Sequence, residues 1–396
     1  SVLSSVCFLV SAGDLLSSSL VLFFFFFFLF FFFFKQKTAY EMLRSLVGSE
    51  MCIRDSQWDY DGKVSLSNLR CLPRFQALCE RFRFPATYLL ASEVLQDLET
   101  VQQLHCWQRE GVAEVGAHLE PWTTPPFMAI ERENPALQMF PSELPAPWFE
   151  RKLRTLTQDI ATRFGLPPRS FRAARWGFSA PMVGILARQG YRVDCSITPK
   201  TSWTAERGGS SSKGPDYRRA QAAPYWLSGK DVCLPGDSGL LEAPMTVLYT
   251  GPLVRERSRA ARRFSLLPES SAKRLLNRIV FRKKWLRISP ESRHEDWRAI
   301  HRAAVRNGID VLEFMIHSSE LAPGTSPLTP TEKEAEGVFR HLEEMFGEYR
   351  GLGVEGCTLG ALAVAEQESR LRGRGEEDPG AACGSKMGTA EGGRVR

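Results

Sequence analysis

The chain has 396 residues, 43% of them hydrophobic and 24% charged, which excludes a collagen-like or a highly charged disordered protein. By length it could form two or three average domains, although barrels of about 200–250 residues fold as one. Its 51 Lys and Arg against 45 Asp and Glu leave a formal charge of +6, too mild for a nucleic-acid partner, and its nine Cys form no C-x-x-C pair, which argues against a zinc finger or disulfide scaffold and fits a reducing, cytoplasmic compartment.

The start of the chain differs from the rest. Residues 15–34 carry no charge and include eleven Phe between positions 23 and 34, a run long enough to cross a bilayer if native. Near-pure Phe is what a homopolymeric T tract gives on translation, and residues 35–56 (KQKTAYEMLRSLVGSEMCIRDS) resemble translated sequencing-adapter text. Residues 1–56 are therefore set aside from fold reasoning, as a fusion scar would be. A membrane becomes a partner only if the Phe run is genuine.

From residue 57 the pattern is that of a globular enzyme. Apolar residues at helical spacing predict a helix over 70–83, and PATYLLA predicts a buried strand over 85–91. A helix over 93–109 precedes a strand at 112–119. A helix over 149–164, with Leu153, Leu156, Ile160 and Phe164 on one face, stops at Gly165 and precedes a strand at 170–177. A short helix at 180–188 follows, then strands at 191–198 and 240–247. A helix at 293–306 precedes the strand at 310–317, and Thr329, Pro330 and Glu332 predict a capping box opening a helix to about residue 348.

Alternating helices and strands predict an α/β fold with a parallel sheet, either a barrel or a doubly wound sheet. No glycine-rich phosphate fingerprint follows a predicted strand, which argues against a nucleotide enzyme. Residues 199–239 read as a long loop, with Trp203, Tyr217 and Tyr225 as candidates for stacking on a sugar ring. Residues 251–306 hold 16 Lys and Arg against 5 Asp and Glu, and read either as the solvated side of helices or as a cationic face for an anionic ligand. The expected domain spans 57–366, and residues 367–396 are expected to be a disordered Gly-rich tail.

On a parallel barrel, polar residues at C-terminal strand ends are the candidates for chemistry. Here these are His118, Arg172 with Arg175, Asp194 and His317. The segments EVGAHLEPWTTPPF, SFRAARWGFS, GYRVDCSITP, GPDYRRAQAAPY, LLEAPMT and MIHSSELAPG, in that order, resemble the polysaccharide deacetylase family, the bacterial branch with a NodB homology domain and a GAHLHPW-type motif. The resemblance spans residues 57–366. It implies a distorted (β/α)7-type barrel and a metal-dependent hydrolase, commonly of zinc, that removes N-acetyl groups from a carbohydrate.

A bound metal would polarise the amide carbonyl and lower the pKa of its water toward about 7. The resemblance places His118 at that metal, with Glu120 where relatives have a second His. It makes His317 the general acid and Arg172 the holder of the catalytic carboxylate. Trp122, Arg175, Asp194 and Asp216 would line the substrate site, with Asp194 orienting His317 or a ligand. Trp122 reads equally as packing beside Pro121 and Pro125.

The family's acidic first motif should fall at QWDYDG. Either Asp59 or Asp61 supplies its carboxylate, or the motif has been replaced, in which case the first strand is missing or mimicked and the barrel incompletely closed. A carbohydrate is the expected partner. The alternative is a deacetylase-like sugar-binding protein without a complete metal site.

Overall fold

The computed structural model describes residues 2–9, 66–134, 137–206, 208–209 and 213–376. Asp59, Asp61, the Phe run, the adapter-like stretch and residues 377–396 lie outside the described residues. The architecture is α/β. Strands β1 (Val2–Leu9), β2 (Ala86–Leu90), β3 (Ala113–Leu119), β4 (Ser170–Ala173), β5 (Val193–Asp194), β6 (Tyr225–Trp226), β7 (Leu241–Glu242), β10 (Val311–His317) and β11 (Glu355–Cys357) form one sheet, while β8 (Val247–Tyr249) and β9 (Lys283–Trp285) form a separate pair. The main ladder runs β10-β1-β2-β3-β4-β5-β7-β6, with β11 added beside β1.

β2, β3, β4, β5 and β7 pair in parallel. β10 runs the same way, because it and β2 are both antiparallel to β1. This six-stranded parallel frame carries every strand predicted from the sequence. The intervening helices lie close to expectation: Leu72–Phe82, Leu98–Arg109, Ala146–Phe164, Ala180–Arg188, His294–Asn307 and Glu332–Gly351.

Their differences have local causes. Residues Ser92–Gln96 make a tight turn, and the following helix starts only after Asp97, whose carboxylate accepts from the Thr100 amide at 2.9 Å. The N-cap position of the late helix is Thr331, which makes no side-chain cap bond, and not Thr329; the Thr329 hydroxyl donates instead to the Ala322 carbonyl at 3.1 Å, closing the preceding loop. The last helix, Leu359–Glu376, continues past the expected boundary at 366.

The sheet does not close into a barrel. β5 and β7 are two residues each; after β7 the Ala243 amide donates to the Asp194 carbonyl, and Pro244, the next residue, has no amide hydrogen. The next amide free to reach β10 is that of Thr246, which donates to the Glu313 carbonyl at 3.3 Å, while the Glu313 amide donates to the Thr246 hydroxyl at 2.7 Å. These two bonds bring the segment after β7 beside β10 without a strand ladder. At the opposite seam, between β10 and β2, the strand is β1, from residues set aside as non-native. It runs against both neighbours, a direction that a β/α repeat cannot produce.

The segment 199–239 was read as a loop over one end, with aromatics for a sugar. It is mostly core. Trp203 is buried, donates its indole N–H to the Thr198 hydroxyl at 2.8 Å and stacks near Trp176. Tyr217 and Tyr225 are buried as well; the Phe178 amide donates to the Tyr217 hydroxyl at 3.1 Å, and the Tyr225 hydroxyl donates to the Val232 carbonyl at 2.6 Å. Three polar tips satisfied in the interior leave no ring face for a ligand.

Gly116 shows why the strand leading to His118 reads GAH. A Cβ there would come within 2.6 Å of Leu89 Cδ2 and 2.8 Å of the Ser170 carbonyl oxygen, so only a hydrogen fits between the flanking strands. Gly116→Ala should lower the free energy of unfolding by about 1–3 kcal/mol. An unchanged denaturant midpoint would contradict this account of the close approach.

Candidate functional site

Parallel strands present their C-terminal ends on one edge, and there β3, β4 and β10 display His118, Arg172 and His317. His118 and Arg172 are register partners on adjacent strands. The His118 ring is fixed from behind, with Nδ1 3.1 Å from the Arg172 carbonyl oxygen. An oxygen there can only accept, so Nδ1 carries the proton. Nε2 then faces Glu120 Oε1 at 3.3 Å, and both groups are buried. A neutral ring would set a lone pair against a carboxylate. A proton or a cation between the two atoms satisfies the arrangement.

That pair is the fit test for the metal implied by the sequence. His118 and Glu120 are legitimate zinc donors. Among the described residues, however, no group of three or more His, Cys, Asp or Glu could hold a metal ion. Two donors do not make the usual three-donor arrangement, so the described residues do not fit the group.

The loop carrying Glu120 and half-buried Trp122 is held by a residue the sequence did not signal. Lys152, on the helix Ala146–Phe164, is fully buried; it donates to the Pro121 carbonyl at 2.9 Å and the Thr124 carbonyl at 2.6 Å and sits 3.1 Å from Glu131. Burial lowers its pKa, and Glu131 opposes the shift. Leu153, Leu156, Ile160 and Phe164 are buried as predicted, but Lys152 lies beside them. Periodicity treats a lysine there as a break in the apolar face.

Arg172 is almost completely buried. Its Nη2 donates to Glu313 Oε1 at 2.5 Å, its Nε to Cys195 Sγ at 3.3 Å, and its guanidinium lies 4.8 Å from the Trp176 ring centre. Burial alone would lower its pKa; Cys195 and Glu313 outweigh that and raise it. The carboxylate it holds is thus Glu313 of β10.

Asp194 lies deeper, fully buried on β5 opposite Glu242 of β7 in parallel register. It accepts from the Ser196 hydroxyl at 2.6 Å and amide at 3.1 Å, while Glu242 accepts from the Ile197 amide at 3.0 Å. Burial pushes both carboxyls up; the Asp194 charge and its hydrogen bond push Glu242 further, well above its ordinary range, while the bonds from Glu242 and Ser196 and the charge of Arg172 oppose the rise at Asp194, so the shared proton sits on Glu242.

His317 is partnered by Glu320, three residues on, and the orienting role given to Asp194 falls to that residue. Its Nδ1 is 3.3 Å from Glu320 Oε1, its backbone amide donates to Glu320 Oε2 at 3.2 Å, and Arg287 closes the other side of Glu320. The His317 side chain keeps 27% of its surface exposed. Burial lowers its pKa; Glu320 opposes, and the positive charges of Arg287 and His118 add to the lowering. Glu320 itself, despite burial, is held at about 2 by Arg287 and His317. His317 therefore rests neutral near pH 7.

The remaining candidates are not gathered with these. Arg175 sits at φ 51 with its guanidinium on the Gln138 carbonyl and 4.3 Å from the Phe140 ring centre. Asp216 is exposed and bound to Arg218 at 2.6 Å. Glu320 and Glu313 were legible in principle, since Glu320 follows His317 at a capping spacing and Glu313 interrupts an otherwise apolar strand. Glu242 carries the same mark in its strand, whereas Lys152 and Arg287 carry none.

Comparison with known proteins gives little purchase. No family model and no curated protein matches the chain. Among solved structures, the crystal structure of a "putative polysaccharide deacetylase" from Mycobacterium smegmatis superposes with a TM-score of 0.35 at 14% identity, covering 66% of this chain and 68% of that one. A likeness this loose carries no argument about the site.

Two substitutions test this geometry. Lys152→Ala strands the Glu131 carboxylate and two carbonyls and should cost about 3–5 kcal/mol of stability; a thermal midpoint within experimental error of the parent would show the loop is held otherwise. Glu242 is raised on folding, so its contribution is fully present below its ordinary value near 4.5 and is lost as pH rises toward the folded value. Glu242→Gln mimics the protonated form and should flatten that slope in stability measured between about pH 5 and 8.

Proposed function

We propose that the chain is a carbohydrate N-deacetylase, a hydrolase acting on the acetamido C–N bond, in which His317 moves the proton. The observation that carries the reading is His317 itself: a neutral, partly accessible imidazole at a C-terminal strand end, with Nδ1 anchored on Glu320 and Nε2, without a partner among the described residues, as the basic nitrogen. Such a ring starts as a base. It takes the proton of a water attacking the acetyl carbonyl and then, as imidazolium, gives it to the departing amine as the C–N bond breaks and acetate leaves.

Glu320 holds the ring in one tautomer and favours the charged form as it develops. Arg287 keeps Glu320 ionised, so the Nδ1 partner does not change its charge in the working range. The sequence reading made His317 a general acid; its neutral resting state makes the acid role the second half of a shuttle. The resemblance of the motifs to polysaccharide deacetylases supports the choice of substrate, and half-buried Trp122 on the tethered loop offers a ring for a sugar face.

A second reading, sugar binding without turnover, is favoured by one observation: the described residues supply two metal donors where the family chemistry calls for three.

Acetate release from N-acetylated oligosaccharides, measured with added zinc and with chelator, separates the readings. Turnover is expected, with His317→Ala lowering it by about 10²- to 10⁴-fold. Glu320→Gln removes the charge that favours imidazolium and should move the acidic limb of the pH–rate profile to lower pH. Calorimetric sugar binding with no acetate in any condition would leave only the binding protein.

A further inference from the structure

The segment between β8 and β9 stands apart from the sheet that bears the site. It has its own small core, in which Tyr249, Val254, Ala261 and Phe264 pack with Phe281, the Phe264 and Phe281 rings stacking 3.6 Å apart. The helix Ser271–Leu276 runs on into a π turn, Asn277–Phe281, that ends at Arg282 with φ 54. One row of this helical segment, Lys273, Asn277 and Phe281, is half-buried against that core. The rows facing away are apolar: Leu275, Leu276, Ile279 and Val280 are between 42% and 60% exposed. A helix on a globular protein ordinarily turns such rows inward; this one turns them out.

Charge surrounds the apolar rows. Arg274 and Arg278 run alongside them, and Arg259, Arg262 and Arg263 are exposed on the neighbouring helix Arg259–Leu266. Both acids of this stretch are already neutralised, Glu256 by Lys200 at 2.9 Å and Glu269 by Lys273 at 2.7 Å. The loop before the helices adds Leu253, 94% exposed.

We propose that this insertion is a peripheral docking surface for an anionic lipid bilayer. Aliphatic side chains enter the boundary between headgroups and acyl chains while the arginines meet lipid phosphates, a pairing of apolar rows with flanking positive charge that suits a membrane interface. A nucleic acid would use the arginines but give the leucine rows nothing to bury in. A second copy would bring like charges face to face. The proposal does not depend on the deacetylase reading, since none of these residues belongs to the His317 or His118 clusters.

Co-sedimentation of the full chain with phosphatidylcholine vesicles, with and without phosphatidylglycerol, tests it. Binding should be stronger to the anionic vesicles and weaken with salt. Arg274→Glu/Arg278→Glu should lower partitioning onto anionic vesicles by on the order of tenfold or more and leave that onto neutral vesicles unchanged. Leu275→Ser/Ile279→Ser should lower it too, with unchanged circular dichroism and thermal midpoint because these side chains are exposed.

Any membrane affinity of the Phe run is common to all three proteins, so only differences among them count. No preference for anionic vesicles, or variants that sediment like the parent, overturns the proposal. So does a parent that light scattering shows to be a dimer and that both variants convert to monomer.

Discussion

The ion pair between Arg172 and Glu313 holds together strands that the ladder keeps apart. β4 and β10 are separated in the pairing order by β1, β2 and β3, yet Arg172 Nη2 and Glu313 Oε1 are 2.5 Å apart and both residues are almost wholly buried. Charges that close require the sheet to curl so that its two sides share one interior. The Thr246–Glu313 bonds reinforce the same seam from the segment after β7. A buried pair of this kind adds little net stability over apolar packing, but leaving either partner alone would strand a charge at a cost of about 3–5 kcal/mol. It therefore specifies curvature more than it supplies stability.

The rest of the polar edge follows the same rule of local compensation. His118 has Glu120, His317 has Glu320, Lys152 has Glu131 and two carbonyls, and Asp194 and Glu242 keep a proton between them. The compensation is graded by accessibility. Each deep group is tied to at least one partner, whereas His317, partly open and with a partner among the described residues at Nδ1 alone, is left able to exchange a proton. Arg287 joins the site to the basic insertion along the chain, because it follows β9 and reaches Glu320.

Much of the fold was legible because it rests on local periodicity. The strands β2, β3 and β10 and the helices Ala146–Phe164 and Ala180–Arg188 bury the residues that their spacing marks as apolar. The segment 199–239 is irregular, as its glycines, serines and prolines predict, but the place of its aromatics is not legible: Trp203, Tyr217 and Tyr225 are buried, with hydrogen bonds to Thr198, Phe178 and Val232 that no spacing encodes. At the site, strand-end position singled out His118, Arg172 and His317. Lys152 escaped, since a lysine on a helix reads as solvated until the neighbouring loop covers it.

The order of helices and strands, the parallel sense of the sheet and the polar residues at its C-terminal edge are properties of the sequence alone, because each depends on hydrogen bonds and apolar faces formed within a few residues. Which charge meets which, whether the sheet closes and which face of the helix at 271–276 is left outside were settled only in three dimensions. Those outcomes depend on partners far apart in the chain, such as Arg172 with Glu313, and on how much water each pair loses when the elements come together.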